Sequence, residues 1–559
     1  MKRFGVMLDM SRNAVMKVSQ VKKFILILEK MGYNSLQLYT EDTFEIEGEP
    51  FFGYMRGRYS GAEIQEIDAF ANAHGIELIP CVQTLAHFGC LVRHTTYQPM
   101  VDVNDILLID DKRTYAFLDK MFATLAKNFT SRHVNIGMDE AHMVGLGQYL
   151  DKHGFHNRFD LLVKHLNQVV EIAEKYGFKP QMWSDMFFRL AFKEIYDNDS
   201  ADESKHCPSC IPDLAGDGYY VDKPIAFDES IIQKIPKNVD LIYWDYYNVD
   251  EKVYDAMFAS HKKFNREIWF AGGAWCWNGF APHNGYSLKS MLPAMKTVNK
   301  YGVENVMITL WGDDGKECSY YSTLPALYAI KQYADGNYDM QAIEKGFTEL
   351  FRLSFADFMS LDLPNGEHIV NGRNGEELPQ NPCKSLFYND PFLGLMDAIF
   401  DRSPKIPYNE YAKRLHDAIK RARDFSYIFD CQAKLCKFLA VKADLGIRTR
   451  KIYRQKDKKA LRGLIMDYKK ALRLLDSFYA SYSYLWHAEN KPFGFEVMDI
   501  RLGGLRFRLA SCKEKLQKYC NGKLKKIEEL EEEVLDEQPN KYLYHNRYQH
   551  LATFGYLSE

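Results

Sequence analysis

Two adjacent carboxylic acids, Asp139 and Glu140, follow a short segment in which Val134, Ile136 and Met138 alternate with small or polar residues. That alternation predicts a strand that ends in a loop carrying both acids. Neighbouring carboxylates repel each other, and an apolar wall raises the cost of ionising both, so one of them can hold a proton near neutral pH. The pair could therefore divide general-acid and electrostatic roles, although a helix-capping acidic loop has the same composition.

The elements that must position this pair repeat along the first part of the chain, where strand-like segments alternate with amphipathic helical ones. The predicted strands are Phe4–Met10, Ser35–Tyr39, Glu77–Gln83, His133–Met138, Lys179–Ser184, Asp240–Tyr246, Glu267–Gly272 and Val306–Trp311. Eight strands alternating with helices fit a closed (β/α)8 TIM barrel better than an open α/β sheet. We therefore predict a barrel domain over residues 1–337 and an all-α C-terminal domain over residues 338–559.

Polar and aromatic residues gather where the predicted strands end. Six of the seven tryptophans lie in or near these segments, and Trp486 is the exception. In a barrel the C-terminal ends of the strands converge on one mouth, so these residues are expected to form a single cup. Aromatic faces cover the apolar face of a pyranose while charged groups bind its hydroxyls, so the cup suits a sugar.

The overall composition excludes several classes of function. The chain has 559 residues, 46% hydrophobic content and a formal net charge of -3, so neither a basic nucleic-acid surface nor a polybasic membrane patch is expected. No segment has the length and apolarity of a membrane span. No glycine-rich nucleotide loop is present, and we predict no cofactor.

Cysteine usage and the first residues predict a cytoplasmic protein. The eleven cysteines have no framework spacing, which fits free thiols in a reducing compartment. Cys207 and Cys210 form a CxxC motif, but no second motif follows to complete a zinc site, and no metal is predicted. Strand-like sequence begins at once, without the apolar segment of a signal peptide.

The order of the strand-end motifs resembles family 20 glycoside hydrolases, the exo-acting beta-N-acetylhexosaminidases. The motifs are Leu8-Asp-Met-Ser-Arg12, Leu38-Tyr-Thr-Glu41-Asp42, His87, Gly137-Met-Asp139-Glu140, Met182-Trp183-Ser-Asp185 and Leu310-Trp311-Gly-Asp313. The resemblance covers the whole barrel region and implies a short form without the α/β domain that precedes the barrel in many relatives. It implies substrate-assisted retaining hydrolysis of glycosides or oligosaccharides with a terminal beta-linked N-acetylglucosamine or N-acetylgalactosamine.

The resemblance also implies a role for each site residue. Glu140 matches the general acid, and Asp139 matches the residue that holds the acetamide N–H and stabilises positive charge. The other matched positions are Arg12 for the outer hydroxyls, Glu41 and His87 as orienting residues, and Trp183, Trp244 and Trp311 as aromatic walls. Trp275 belongs to the same aromatic set, and Tyr246 is our choice among Tyr243, Tyr246 and Tyr247 for the acetamido oxygen.

One motif departs from the family pattern, and other functions stay open. The family commonly has Trp-x-Glu after the last strand, whereas this chain has Trp311-Gly-Asp313. The Asp313 side chain is one methylene shorter than a glutamate, so Asp314 or Glu317 could bind the outer hydroxyls instead. A barrel glycosidase with a protein nucleophile, Asp245 or Asp313, is the alternative enzyme. A non-catalytic sugar-binding protein is the alternative from another class. The C-terminal helices are expected to pack against the barrel or against a second copy in a homodimer.

Overall fold

Eight parallel strands close into a barrel in the computed structural model, which describes residues 1–190, 219–225, 227, 229–366, 369–371, 377–535 and 547–555. The strands are β1 Arg3–Asp9, β2 Ser35–Tyr39, β3 Glu77–Cys81, β4 His133–Asn135, β5 Lys179–Trp183, β6 Asp240–Trp244, β7 Ile268–Gly273 and β8 Asn305–Leu310. Neighbours in sequence are neighbours in the barrel, and β1 pairs with both β2 and β8. The predicted TIM barrel is confirmed.

Six of the eight strands end earlier than the sequence predicted, whereas β2 ends at the predicted residue and β7 ends one residue later. The clearest case is β4, which ends at Asn135 and not at Met138. Gly137 and Met138 have φ of +72° and +69°, so the backbone leaves the strand before it reaches the acid pair. The consequence is that Asp139 and Glu140 stand on a turn above the barrel and not on a strand.

Helices surround the barrel and continue beyond it. Those of the barrel region are α1 Val18–Met31, α2 Gly61–Ala73, α3 Lys112–Asn128, α4 Gln148–His153, α5 Arg158–Lys175, α6 Glu229–Lys234, α7 Glu251–Lys262, α8 Asn284–Tyr301 and α9 Leu324–Ala334. α1 shows why they form, because Val21, Phe24, Leu28 and Met31 recur at helical spacing and are buried. α2 starts at a capping box in which Ser60 and Glu63 each bind the other's backbone N–H.

The C-terminal region is helical, as predicted. Its helices are α10 Met340–Phe351, α11 Phe355–Met359, α12 Pro382–Tyr388, α13 Asp397–Arg402, α14 Tyr408–Ala418, α15 Ser426–Lys442, α16 Leu445–Arg454, α17 Lys458–Glu489, α18 Phe495–Cys520, α19 Glu528–Glu531 and α20 Tyr548–Ala552. α17 is the longest of these helices in the described parts of the chain, and it packs against both α15 and α18. The predicted domain boundary after residue 337 falls in the connection between α9 and α10, where we propose to keep it.

Some features were not predicted or fall outside the described ranges. Two short antiparallel hairpins, Val101–Val103 with Ile106–Leu107 and Ile369–Asn371 with Glu377–Pro379, were not predicted. The nine cysteines in the described ranges are free, and eight of them are buried, whereas Cys207 and Cys210 lie outside the described residues. No helix within the described residues is both long and apolar enough to cross a membrane.

Candidate active site

Asp139 is held from two sides at the mouth of the barrel. Gln83 Nε2 donates to Asp139 Oδ1 at 2.7 Å, and the side-chain oxygen Gln83 Oε1 accepts from the backbone N–H of Met138 at 3.1 Å. His87 Nε2 lies 3.1 Å from Asp139 Oδ2. Its direction is poor for a hydrogen bond, so the attraction is mainly coulombic. The carboxylate of Asp139 therefore has a fixed orientation.

Glu140 is the freer acid of the pair. Its side chain is 52% exposed, against 13% for Asp139, and its Oε2 lies 3.8 Å from His87 Nε2. Its backbone is in the left-handed region with φ +54°, and its N–H donates to Asp185 Oδ2 at 3.3 Å. An exposed, solvent-facing carboxyl beside a fixed, mostly buried carboxylate suits a proton donor beside an electrostatic stabiliser.

Electrostatics keep His87 and Asp139 charged. Burial opposes a proton on His87, but the nearby carboxylates of Asp139 and Glu140 outweigh it and raise the pKa of His87 to about 10. Burial likewise opposes ionisation of Asp139, but His87 and Gln83 outweigh it and hold the pKa of Asp139 below its ordinary value. Asp139 is therefore an anion and His87 a cation near neutral pH.

The same trio bears on the prediction that no metal is bound. The ligand atoms of His87, Asp139 and Glu140 lie within 4.8 Å of one another, which is close enough for one metal ion. A metal requires a neutral imidazole, whereas the raised pKa of His87 favours the protonated form. The arrangement suits an ion pair better than a metal centre.

A buried hydrogen-bond chain joins this cluster to the end of β2. Tyr39 donates its hydroxyl to Glu41 Oε1 at 2.9 Å, and Gln83 Nε2 lies 2.9 Å from the Tyr39 oxygen. Arg12 Nη1 lies 3.7 Å from Glu41 Oε1, which places the predicted sugar-binding arginine beside this chain. Sequence reasoning gave no role to Tyr39 or Gln83, although both end buried strand-like segments that point to the mouth.

Asp313 reaches the same space from the end of β8. Its backbone has φ +32°. Burial raises the pKa of Asp313 to about 7, with Arg12 opposing this and Asp9 and Glu140 adding to it. Positive φ also occurs at Glu41, His87 and Glu140. Non-glycine residues in this strained region cluster at functional sites, so four predicted site residues carry the same signature.

The predicted tryptophans Trp183, Trp244 and Trp311 pack against other aromatic side chains. Trp183 and Trp311 lie with their rings 5.9 Å apart, and Tyr39 packs edge-on to Trp311. The Trp183 indole N–H is buried without a hydrogen-bond partner in the described part of the chain, which is rare unless a ligand or water supplies one. Trp244 stacks on Tyr246 at 5.5 Å.

Trp275 and Tyr243 take supporting places. Trp275 is fully buried behind Tyr246, and its indole N–H donates to the Tyr246 carbonyl oxygen at 2.8 Å. Tyr243 is fully buried and donates its hydroxyl to Asp245. Burial, together with the negative charges of Asp313 and Glu140, keeps the pKa of the Tyr246 hydroxyl well above its ordinary value.

A cavity of about 300 Å³ lies on the Arg12 side of the mouth. Arg12, Glu41, His87 and Asp313 line it together with residues of the C-terminal helix α18. The structure therefore brings together all the charged site residues that the sequence predicted, and adds a wall from the helical region that the sequence did not predict.

Two family models match the chain. The model described as "Glycosyl hydrolase family 20, catalytic domain" matches residues 3–202. The model described as "Glycoside Hydrolase 20C C-terminal domain" matches residues 356–548, so that the two together match well over half of the chain. The chain belongs to glycoside hydrolase family 20. The resemblance stated from the strand-end motifs is confirmed, and the second match places the helical region in the same family as the barrel.

Individual relatives of this family 20 chain are distant. Hexosaminidase D of Homo sapiens is 27% identical over 185 residues, and Hexosaminidase D of Bos taurus is 26% identical over 185 residues. Each match covers 31% of this chain, and the chain spans 38% of the human relative's length and 53% of the bovine relative's.

Solved structures give a comparison at the level of the fold. A beta-N-acetylhexosaminidase from Bacteroides fragilis is 18% identical with a TM-score of 0.45, covering 63% of this chain and 70% of that one. An exo beta-N-acetylglucosaminidase from Vibrio harveyi is 15% identical with a TM-score of 0.46, covering 64% of this chain and 58% of that one. The barrel assignment rests on the closed strand order itself.

Proposed function

We propose that this chain is an exo-acting, retaining beta-N-acetylhexosaminidase that removes terminal beta-linked N-acetylglucosamine or N-acetylgalactosamine from glycosides and oligosaccharides. The observation that carries the proposal is the Asp139–Glu140 turn. One acid is fixed as an anion by Gln83 and His87, and the other is exposed beside it. Family membership and the names of the relatives support the same activity.

The proposed mechanism uses the 2-acetamido group of the substrate as nucleophile. Its carbonyl oxygen attacks the anomeric carbon while the bond to the leaving oxygen breaks and Glu140 gives its proton to that oxygen. Asp139 accepts a hydrogen bond from the acetamide N–H and stabilises the positive charge of the resulting oxazolinium ion. Water then attacks the anomeric carbon, the bond between this carbon and the acetamido oxygen breaks, and Glu140 takes the proton from the water, so that the product keeps its configuration.

The remaining residues bind the sugar. Arg12 and Asp313 lie on one side of the mouth, where a donor fork and an acceptor suit adjacent outer hydroxyls. Trp183 and Trp311 supply apolar walls, and Tyr246 is the proposed donor to the acetamido oxygen. Asp314 and Glu317 are poor substitutes for Asp313, because Lys384 and Arg501 pair with both.

A protein nucleophile has less support. Asp245 is fully buried, and its two oxygens accept from Tyr243, Asn248 and the Tyr247 backbone N–H. Burial raises the pKa of Asp313 to about 7, so a large fraction of this carboxyl is protonated, and therefore not nucleophilic, near neutral pH. Both observations favour a nucleophile carried by the substrate.

Hydrolysis of a chromogenic N-acetyl-beta-glucosaminide, compared with the plain beta-glucoside, tests the proposal. Substrate assistance predicts that only the acetamido sugar is cleaved and that a thiazoline mimic of the oxazoline inhibits. Equal turnover of the two glycosides would favour a protein nucleophile. Binding of the sugar without turnover of any glycoside would favour the sugar-binding protein.

We also propose a cytoplasmic location and a homodimer. The free, mostly buried thiols of the described residues support a reducing compartment. The homodimer stays a prediction from the sequence, and sedimentation of the purified chain over a range of concentrations tests it.

A further inference from the structure

The loop after β8 is strained where it carries Asp313. Asp313, Gly315 and Lys316 have φ of +32°, +102° and +34°. Left-handed backbone at non-glycine residues is unfavourable and persists only where surrounding contacts hold it. The contacts that hold this loop therefore decide where the Asp313 carboxyl lies.

Two cations from the helical region bind the acids that follow Asp313. Arg501 of α18 lies 2.9 Å from Asp314 Oδ1 and 3.5 Å from Glu317 Oε1. Lys384 of α12 lies 3.0 Å from Asp314 Oδ2 and 2.9 Å from Glu317 Oε2. The Lys384 side chain has no exposed surface and that of Glu317 only 1%, so this pair is buried, whereas Asp314 and Arg501 keep 22% and 12% of their side-chain surface exposed. Breaking such a buried pair on one side leaves an uncompensated charge.

The Arg501 guanidinium also contacts the loop backbone directly. Its Nη1 donates to the Asp314 carbonyl oxygen at 3.0 Å. A Cβ added to Gly315 would lie 2.4 Å from the same nitrogen, so only glycine permits this approach. Arg501 and Val497 line the cavity that holds Arg12 and Asp313, so one side chain supports the loop and closes the pocket.

The helical region also contacts the loop after β1, which carries Arg12 and which we call the Arg12 loop. Residues 15 and 17 exchange backbone hydrogen bonds with residues 491 and 489, at 2.8 and 3.0 Å. Asn13 Nδ2 donates to the Gly494 carbonyl oxygen at 3.1 Å. The loops that carry Arg12 and Asp313, the residues proposed to bind the outer hydroxyls, are therefore both contacted by helices α17 and α18 and by the segment between these helices.

We propose that the helical region shapes the part of the pocket that receives the outer hydroxyls of the terminal sugar, with Arg501 as the positioning residue that places Asp313 through Asp314 and Gly315. The inference rests on the proposed function and adds a determinant outside the barrel. The influence of Lys384 on the pKa of Asp313 is consistent with a cluster that reaches this carboxyl.

The test compares three chromogenic substrates, the N-acetyl-beta-glucosaminide and its 4-deoxy and 6-deoxy analogues, on the wild type and Arg501→Met. In the wild type, loss of the hydroxyl that Asp313 binds is expected to lower kcat/KM about 10- to 100-fold, the size of a hydrogen bond to a charged group. In Arg501→Met we expect Asp313 to be displaced, so removal of the same hydroxyl from the substrate lowers kcat/KM less than about threefold. The kcat/KM of the variant for the parent substrate falls below that of the wild type by most of the factor of about 10- to 100-fold.

Arg506→Met is the matched control. Arg506 lies on the same helix, pairs with Asp476 and is 48% exposed. Its replacement is therefore expected to leave unchanged the factors by which kcat/KM falls for the two deoxy substrates. Should Arg501→Met fail to fold, Arg501→Lys keeps one charge in the cluster without the fork that reaches both acids, and carries the same comparison.

The outcomes separate the two proposals. Turnover of the parent glycoside with unchanged deoxy penalties in the Arg501 variant overturns the inference alone. Equal loss on all three substrates, with a lower melting temperature, assigns Arg501 a merely structural role and also overturns it. No turnover of any glycoside by the wild type overturns the proposed function and this inference with it.

Discussion

Asp139 and Glu140 are chemically similar side chains that their surroundings make different. Asp139 receives a hydrogen bond from Gln83 and the charge of His87, whereas Glu140 stays half exposed. The proton donor and the electrostatic stabiliser can therefore be told apart by leaving-group dependence.

Glu140→Gln is expected to lower kcat/KM about 10²- to 10⁴-fold for a substrate with a poor leaving group, because it removes general-acid help. An activated aryl glycoside is expected to lose far less in the first step, since its leaving group needs little protonation. Steady-state kinetics on a series of aryl glycosides of different leaving-group pKa measure the difference.

Asp139→Asn is the matched comparison, because it removes charge stabilisation and not the proton. Asp139→Asn is expected to lower kcat/KM by a similar factor for every aryl glycoside of the same series. A leaving-group dependence in Asp139→Asn as steep as that of Glu140→Gln would contradict the assigned roles.

Asp313 gives a pH prediction at the same scale. Burial raises its pKa to about 7, so the carboxyl is protonated below that pH and ionised above it. An ionised acceptor binds a hydroxyl more strongly, so the inhibition constant of the product N-acetylglucosamine is expected to fall as the pH rises through about 7.

Asp313→Asn is expected to remove this pH dependence. Asp185→Asn is the control, because burial also raises the pKa of Asp185 to about 7 while its contacts are with Glu140 and Arg189. If the pH dependence were lost in Asp185→Asn and kept in Asp313→Asn, it would come from the Asp185 carboxyl, and the prediction for Asp313 would be wrong.

At the scale of elements, the turn after β4 is what aims the acid pair. Gly137 has φ +72°, and an added Cβ would lie 2.1 Å from the side-chain oxygen Gln83 Oε1 and 2.8 Å from the backbone carbonyl oxygen of Val82. The turn therefore needs glycine both for its backbone conformation and for the space that Gln83 occupies.

Gly137→Ala is expected to destabilise the fold by about 1–3 kcal/mol and to lower kcat/KM by a further, separate effect, because Gln83 must move away from Asp139. Gly75→Ala is the matched control, with φ +69° and no atom within 4 Å of the added Cβ. It is expected to show a comparable backbone penalty in denaturant unfolding with full activity. Full activity in folded Gly137→Ala would contradict the role given to Gln83.

At the scale of the whole molecule, the helical region and the barrel share a wall of the candidate site. Gly494 is at the centre of that contact, with φ +86° and an added Cβ only 1.5 Å from the Asn13 carbonyl oxygen. A side chain at this position has no space unless the two regions separate locally, and the Arg12 loop would move with them.

Gly494→Ala is therefore expected to lower the free energy of unfolding by more than about 2 kcal/mol and to weaken binding of N-acetylglucosamine. Gly503→Ala, on α18 with no atom within 4 Å of the added Cβ, is the control and is expected to be neutral or stabilising by about 0.5–1 kcal/mol. Unfolding in denaturant and product inhibition measure the two effects. A Gly494→Ala chain as stable and as tight in binding as the control would contradict the shared wall.

The sequence by itself determined the barrel strands and the helical character of the C-terminal region, and it predicted the chemistry, but it did not predict the two short hairpins. Periods of 2 and 3.6 residues are local properties, so all eight strands and the helical character of the C-terminal region could be predicted from them. The acid pair and Arg12 could be found because each follows a strand-like segment at a motif position. The predicted ends of the strands were less accurate. β4 ends just before residues with left-handed backbone, and the hydrophobic pattern does not indicate that change.

The tertiary structure alone decided which residues meet and how they ionise. Gln83 reaches Asp139 across 56 residues of sequence, and Arg501 reaches Asp314 across 187, because barrel closure and the docking of α18 bring these segments together. Trp275 lies behind Tyr246 and not in an exposed wall for the same reason. The raised pKa values of His87 and Asp313 depend on burial and on neighbouring charges, which are properties of the packed site and not of any local segment.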